Sequence, residues 1–260
     1  MAVAMAFVQA PASPPPPLAS LLAGQRVALY VDFDGTLVEI ASSPGGIAVP
    51  PDLGARLEAL ADRLGQALAL VSGRAVRELL HHLGTLPIHL AGSHGAHVVA
   101  PDGTVLLEHQ PLPHEVTTDL QAFACNHGLL YEPKPHGAAL HYRTRPEREQ
   151  AARAFAHDLA QRHTLQIKHG KCVTELVRPG ASKGAAVHLL HARTPFAGAL
   201  PIFIGDDLTD EDGFLACNQM GGFGIVVGNR RETAAQYRLA SVDHVYEWLT
   251  LCPRTSNSPP

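Results

Sequence analysis

Asp32 and Asp34 stand two apart in Val31-Asp32-Phe33-Asp34-Gly35-Thr36-Leu37, directly after the apolar run Val27-Ala28-Leu29-Tyr30-Val31. Such a run reads as a buried strand, and open α/β sheets place their sites outside the carboxyl ends of strands of this kind. Two carboxylates released there, ahead of a glycine that breaks the strand, suit a hard cation. A second run, Pro201-Ile202-Phe203-Ile204, leads into Gly205-Asp206-Asp207 and then Thr209-Asp210-Glu211-Asp212. Acidic groups crowded at neighbouring strand ends repel one another unless a cation joins them, and Mg2+ takes octahedral oxygen coordination from a few carboxylates and several waters. Asp32, Asp34 and Asp206 lie where the apolar runs stop and are the metal candidates. Asp210, Glu211 and Asp212 are equally readable as a solvated acidic turn. Asp-x-Asp before glycine is itself a common turn sequence, so the case for Mg2+ rests on the two strand ends together.

Two further pieces fall between these ends. Leu68-Ala69-Leu70-Val71 leads into Ser72-Gly73-Arg74, which offers a hydroxyl, a glycine backbone and a guanidinium to phosphate oxygens. A short apolar run before Ser-Gly is also ordinary in α/β proteins. Ser182-Lys183-Gly184 opens the helix-like run Ala185-Ala186-Val187-His188-Leu189-Leu190, which puts a lysine in a first turn where the macrodipole favours acids. A solvated lysine is one explanation, and a demand for positive charge beside the carboxylates is the other.

Taken in order, Asp32-Phe33-Asp34-Gly35-Thr36-Leu37, Ser72-Gly73-Arg74, Lys183 and Gly205-Asp206-Asp207 resemble the four motifs of the haloacid dehalogenase-like (HAD) phosphatases. Within that superfamily the chain is similar to the trehalose-6-phosphate phosphatases. The likeness is carried by Gly92-Ser93-His94-Gly95-Ala96, by Leu-His-Tyr-Arg from Leu140 to Arg143, and by the run from Glu175 to Gly184. It extends from about Val27 to Trp248.

The resemblance implies a phosphoric monoester hydrolase of trehalose biosynthesis that converts trehalose 6-phosphate to trehalose and phosphate through a Mg2+-assisted aspartyl phosphate. By motif position Asp32 would be the nucleophile and Asp34 the general acid and base. Mg2+ would be held by Asp32, the Asp34 backbone carbonyl and Asp206, with Asp207 ordering a metal-bound water or Lys183. Lys183 would add charge beside the nucleophile, while Ser72, Arg74 and the backbone around Gly35, Thr36 and Gly73 would bind phosphate oxygens. The scheme is chemically sound, because a covalent intermediate divides one slow hydrolysis into two easier steps and two differently placed carboxylates can divide the roles.

The resemblance also puts His94 at the catalytic mouth, either ordering a loop or touching substrate. Sugar recognition would fall to Glu132, Lys134, Arg143, Lys171 and Glu175, each also readable as an ordinary surface ion-pair partner. Functional coupling to a trehalose-phosphate synthase is the partner this implies. The competing readings are a sucrose-phosphate or mannosyl-phosphoglycerate phosphatase, a phosphomutase sharing the aspartyl phosphate, and a non-catalytic sugar-phosphate-binding relative. Intact Asp32, Asp34, Lys183 and Asp206 speak against the last.

The elements that must hold these residues follow from periodicity. Apolar strands at Val27 to Val31, Leu68 to Val71, Ile88 to Ala91, Ile202 to Ile204 and Gly224 to Val227 alternate with helix-like stretches. In one of these, Leu53, Leu57, Leu60 and Leu64 recur at spacings of four, three and four. Alternation of this kind predicts an α/β core, here HAD-like and Rossmannoid, with a parallel sheet and helices on both faces. From about Pro111 to Val177 the rhythm changes, and a smaller inserted α/β cap is expected. Its strands would be Tyr131 to Lys134 and Ala138 to Arg143, its helix Glu147 to Arg162, and its closing hairpin Leu165 to Lys168 with Cys172 to Leu176. The organisation expected is a disordered leader over 1–20, a catalytic core over 21–110 and 179–252, a specificity cap over 111–178 and a disordered tail over 253–260. Hinges would lie at Gln110-Pro111 and Arg178-Pro179-Gly180, letting the cap swing over the site.

A chain of 260 residues is long enough for two domains. With 46% hydrophobic and 17% charged residues it reads as globular, and no apolar stretch reaches the roughly 18 residues that a bilayer span requires. A net charge of -4 gives no electrostatic footprint for nucleic acid. Cys125, Cys172, Cys217 and Cys252 lack the close pairing of a zinc or redox motif, which favours a reduced, cytoplasmic protein. The histidines, among them His81, His82, His109, His114, His127, His157 and His163, share no ligand spacing and read mostly as surface residues. The first 20 residues lack the basic start of an export signal.

Overall fold

The computed structural model describes residues 8–9, 13–40, 46–170, 172–230 and 232–251. From the amino terminus, β1 (Val8–Gln9) and α1 (Leu18–Gly24) precede β2 (Val27–Val31), α2 (Leu53–Arg63), β3 (Leu68–Val71), α3 (Val76–Leu83) and β4 (His89–Gly92), and a hairpin follows, β5 (His97–Val99) with β6 (Val105–Glu108). The chain then builds a second unit from α4 (His114–His127), β7 (Leu130–Lys134), β8 (Gly137–His141), α5 (Glu149–His163), β9 (Gln166–Gly170) and β10 (Val173–Val177). It returns through α6 (Lys183–His191), β11 (Leu200–Gly205), α7 (Glu211–Gln219), β12 (Phe223–Val227), β13 (Glu232–Thr233), β14 (Tyr237–Leu239) and α8 (Val242–Leu249).

The large sheet runs β14-β12-β11-β2-β3-β4-β5-β6, parallel from β14 to β4 and antiparallel across its last two pairings. Every residue of β2, β3 and β12 is buried, as expected of parallel strands covered on both faces. Side chains alternate between two cores. Leu29, Val31, Ile202 and Ile204 pack with Leu57 and Leu60 of α2, Leu79 of α3 and Val245 of α8. Ala28, Tyr30, Ala69 and Phe203 pack instead with Val187 and Leu190 of α6 and Phe214 of α7.

The small sheet, β7-β8-β10-β9, is antiparallel throughout. Its Ala138, Leu140 and Leu176 pack against Val116 and Leu120 of α4 and Ala156 and Leu159 of α5. Antiparallel sheets can leave one face uncovered, and here the alternate residues face the core. The two chain joins are tied together, since Arg178 donates through Nε and Nη2 to the Pro111 carbonyl at 3.2 and 2.9 Å.

Three features depart from the sequence reading. The leader gives way to structure before residue 21: Leu18 is buried in the core and Trp248 Nε1 donates to the Pro16 carbonyl at 2.9 Å. Helix α4 is absent from the periodicity reading, although Val116, Leu120 and Ala124 recur every four residues and supply its buried face. The β5–β6 hairpin extends the sheet antiparallel, which strand-helix alternation does not announce. The tail over 253–260 and residues 1–7 and 10–12 of the leader lie outside the described residues. Among the described residues no helix is long and apolar enough to cross a membrane.

Leu57 is wholly buried whereas Leu80 is 36% exposed. In urea unfolding, Leu57→Ala should cost about 3 kcal/mol and Leu80→Ala less than about 1 kcal/mol. Equal losses would contradict this placement of the core.

Candidate active site

Strand β2 lies between β11 and β3, so the chain leaves it on one side and returns on the other, and a crevice opens at the carboxyl ends. These three ends deliver Asp32, Asp206 and Ser72. Asp32 and Ser72 are almost wholly buried, as is Lys183 at the start of α6. Helix α6 begins there because Ser182 caps it, its Oγ accepting from the Ala185 amide at 3.0 Å. Lys183 Nζ then reaches Asp32 Oδ1 at 2.8 Å and Asp210 Oδ1 at 2.6 Å. The other Asp210 oxygen accepts from the Asp206 and Asp207 amides at 3.0 and 2.9 Å.

The solvated-turn reading of Asp210 and Glu211 is therefore corrected. Asp210 is fully buried, and Glu211 is nearly so, accepting from the Ala234 amide at 2.7 Å. The expectation that Asp207 orders Lys183 is corrected as well, because Asp210 does so, while Asp207 is exposed and joins Asp210 in a reciprocal cap of the short turn Leu208–Asp210. The available signal was the spacing of four between Asp206 and Asp210 at the mouth of a helix.

Burial, reinforced by Asp210 and Asp206 and opposed by Lys183, pushes the Asp32 carboxyl well above its usual range. The same causes, burial first and then Asp210 and Asp207, hold Asp206 up to about 7. Burial alone would discharge Lys183, but Asp210 and Asp32 outweigh it and hold its pKa above the ordinary lysine range. The cluster is thus short of positive charge, and a cation would restore both carboxylates to their ionised forms. Carboxylate oxygens of Asp32, Asp206 and Asp210 lie within 4.8 Å of one another, a spacing that fits one divalent ion. Since Asp210 already serves Lys183 and two amides, Asp32 and Asp206 are the better-placed ligands. Gly35 makes this approach possible. Its φ is +76°, and a Cβ there would lie 2.2 Å from Asp206 Oδ2.

Asp34 and Arg74, expected to act separately, are paired. Arg74 donates from Nε and Nη2 to the two Asp34 oxygens at 2.6 and 2.7 Å. The loop around them is closed on itself: the Gly35 amide donates to the Val38 carbonyl at 2.7 Å and the Thr36 amide to the Phe33 carbonyl at 3.4 Å. Those two amides are thus taken up in the turn, contrary to the expected phosphate-binding use. Thr36 is fully buried, with Oγ1 lacking a partner among the described residues. Ser72, Gly73 and Lys183 remain along the cavity wall. Gly73 has a second reason to be glycine, because a Cβ there would sit 2.7 Å from Cε1 of the His94 ring.

That wall belongs to a cavity of about 720 Å³ running from Asp32, Asp34 and Asp206 to the inward face of the small sheet. Glu132, Lys134, Glu175 and Arg143 all line it, Arg143 from an exposed position. Lys134 Nζ lies 2.6 Å from Glu175 Oε2 and 4.0 Å from Glu132 Oε2, and His94 Nε2 is 3.4 Å from Glu175 Oε2. Lys171 lies outside the described residues. His141, absent from the sequence-based set, holds Glu132 through Nε2 at 2.7 Å, and the signal for it was present in Leu-His-Tyr-Arg. Burial lowers the His94 pKa from the ordinary imidazole value, opposed by Glu175. Burial would raise Glu175, but Lys134 and then His94 overcome it and hold the carboxyl down at about 2.

The trehalose-phosphatase family model matches residues 30–243. The trehalose-6-phosphate phosphatase of Escherichia coli K12 is 36% identical over 230 residues, covering 87% of this chain and 86% of that protein. This chain belongs to the trehalose-phosphatase family. Its fold is shared with the C-terminal domain of Candida albicans trehalose-6-phosphate phosphatase (TM-score 0.78, 21% identity, 92% and 97% of the two chains covered). It is shared also with a Bacteroides thetaiotaomicron phosphatase of the HAD superfamily (TM-score 0.63, 17% identity, 87% and 94% covered). A HAD-like core with a cap is the architecture of this family member.

Glu175 supplies a stability test. A carboxyl held at about 2, against an ordinary 4.5, stabilises the fold above pH 4.5, and that contribution is lost as the pH falls towards 2. Between pH 5 and pH 2 the wild type should lose about 3 kcal/mol more unfolding free energy than Glu175→Gln. Parallel pH profiles would contradict the pairing with Lys134.

Proposed function

We propose that the chain hydrolyses trehalose 6-phosphate to trehalose and phosphate, with Mg2+ as cofactor. The observation that carries this reading is the single cavity in which Asp32, Asp206 and Lys183 occupy one end and Glu132, Lys134 and Glu175 the other. Family membership supports it. A bound Mg2+, held by Asp32, Asp206 and the Asp34 carbonyl, would supply charge neutralisation between the nucleophile and the phosphate dianion.

The protein's own groups divide the remaining work. Lys183 keeps Asp32 oriented and offsets its charge. An Asp32 oxygen attacks phosphorus, the bond from phosphorus to the sugar oxygen breaks, and Asp34 gives that oxygen a proton. Water then attacks the aspartyl phosphate, Asp34 takes a proton from it, and the Asp32–phosphorus bond breaks to release phosphate. Asp34 must first turn away from Arg74, so we assign Arg74 to holding Asp34 before substrate arrives and to the phosphate afterwards. Ser72 and Gly73 would face the non-bridging oxygens, and Asp207, exposed beside Asp206, would order water at the metal.

At the other end of the cavity Glu132, Lys134 and Glu175 of the cap, together with His94 of the core, would bind sugar hydroxyls, joined by Arg143 and Lys171. Buried charged groups of this kind discriminate strongly against a ligand that leaves them unpartnered. A cytoplasmic setting fits Cys125, Cys172 and Cys217, all free thiols. Delivery of substrate by a trehalose-phosphate synthase completes the proposed context.

Phosphate release should be specific for trehalose 6-phosphate over sucrose 6-phosphate and glucose 6-phosphate and should stop when EDTA removes Mg2+. Asp32→Asn should lower kcat by about a thousandfold or more with the circular dichroism unchanged. Glu132→Ala and Lys134→Ala should each raise KM about tenfold. Near-normal turnover by the Asp32→Asn variant would overturn the nucleophile, and unchanged KM values would overturn the sugar assignment.

A further inference from the structure

We propose that Lys168 and Asp212 form a latch that holds the cap over the active site, making Lys168 a positioning residue for the hydrolysis proposed above, on which this inference rests. In the cap sheet Lys168 of β9 stands opposite Glu175 of β10, which in turn pairs with Ala139 opposite Glu132. Lys168 therefore shares the inward face of the cap with the sugar-end carboxylates, and it lines the same cavity. Its Nζ nevertheless reaches across the cleft to Asp212 Oδ2, at 3.4 Å, in the first turn of α7.

Both ends of this pair are built on elements that position chemistry. Asp212 follows Asp210 by two residues, and its carbonyl oxygen is packed so closely on α6 that a Cβ at Gly184 would lie 2.4 Å from it. The core end of the latch thus rests beside Lys183, and the cap end on the strand that pairs with Glu175. The side chain of Lys168 is only 10% exposed, whereas that of Asp212 is 43% exposed, so the pair sits at the rim of the cleft with its cationic end buried and its anionic end open to water. His94 with Glu175 and His136 with Glu108 also cross from core to cap, but burial lowers the pKa of both imidazoles, so neither contact carries full charge at neutral pH. If the cap must be closed for productive binding, apparent affinity scales with the closed fraction.

The test is a double-mutant cycle read in phosphate release from trehalose 6-phosphate with Mg2+. Lys168→Met and Asp212→Asn should each raise KM about three- to tenfold and leave kcat within about twofold. The double variant should be no worse than either single one. The exchanged pair, Lys168→Asp with Asp212→Lys, should recover most of the loss. A raised KM for Lys168→Met with an unaffected Asp212→Asn would overturn the latch and place Lys168 on the substrate. Multiplying losses in the double variant, or no recovery in the exchanged pair, would also overturn it. Cap position is read without turnover by hydrogen–deuterium exchange over 166–170, which should quicken in both single variants and slow again in the exchanged pair. Unchanged exchange would refute the latch even if wild-type activity proved to lie with another sugar phosphate, so the two readings fail separately.

Discussion

A lysine ammonium clasped between two buried carboxylates organises this molecule. Lys183, Asp32 and Asp210 are each nearly or wholly removed from solvent, a placement that charged groups tolerate only when paired and hydrogen-bonded. Satisfying all three requires the end of β2, the start of α6 and the turn between β11 and α7 to converge within hydrogen-bonding distance. The sheet order supplies this, because β2 and β11 are parallel neighbours and α6 leads directly into β11. Burial and the neighbouring acids raise the pKa of Asp32 and Asp206, and this shortage of positive charge suits the same cluster to a divalent cation.

The two sheets contribute differently for a physical reason. A parallel sheet buried on both faces can expose polar groups only at its strand ends, so the core concentrates a few carboxylates, a hydroxyl and a lysine in a small volume suited to one phosphate. The antiparallel cap sheet buries one face on α4 and α5 and leaves the other open, so alternate residues such as Glu132, Lys134 and Glu175 form a broad charged surface suited to many hydroxyls. Glu175 joins the two regions, since it accepts both Lys134 of the cap and His94 of the core.

Much of this was legible in the residues. The apolar runs that became β2, β3, β11 and β12 declared buried parallel strands, and the acids at the ends of β2 and β11 pointed to the candidate site. Lys183 was conspicuous because a cation in a first helical turn opposes the macrodipole, and its explanation is Asp210 and Asp32. Asp210 itself was hidden, because an acid in an acidic turn looks solvated until the fold shows which one turns inward. Lys168 and His141 were hidden for a related reason: alternation in a strand tells which residues share a face, but not which of the two faces meets the core. The pairing of Asp34 with Arg74 joins residues 40 positions apart in different loops, and no local pattern announces it.

The role of the Lys183–Asp32–Asp210 cluster is tested by a crystal structure of the protein with Mg2+ and beryllium trifluoride, a mimic of a phosphoryl group on a carboxylate. Beryllium should be bonded to an Asp32 oxygen, Mg2+ should touch Asp32 and Asp206, and Lys183 should still be held by Asp210 while directed at the fluorides. Beryllium bound elsewhere, or Mg2+ remote from Asp206 with Lys183 turned away from Asp32, would contradict that role.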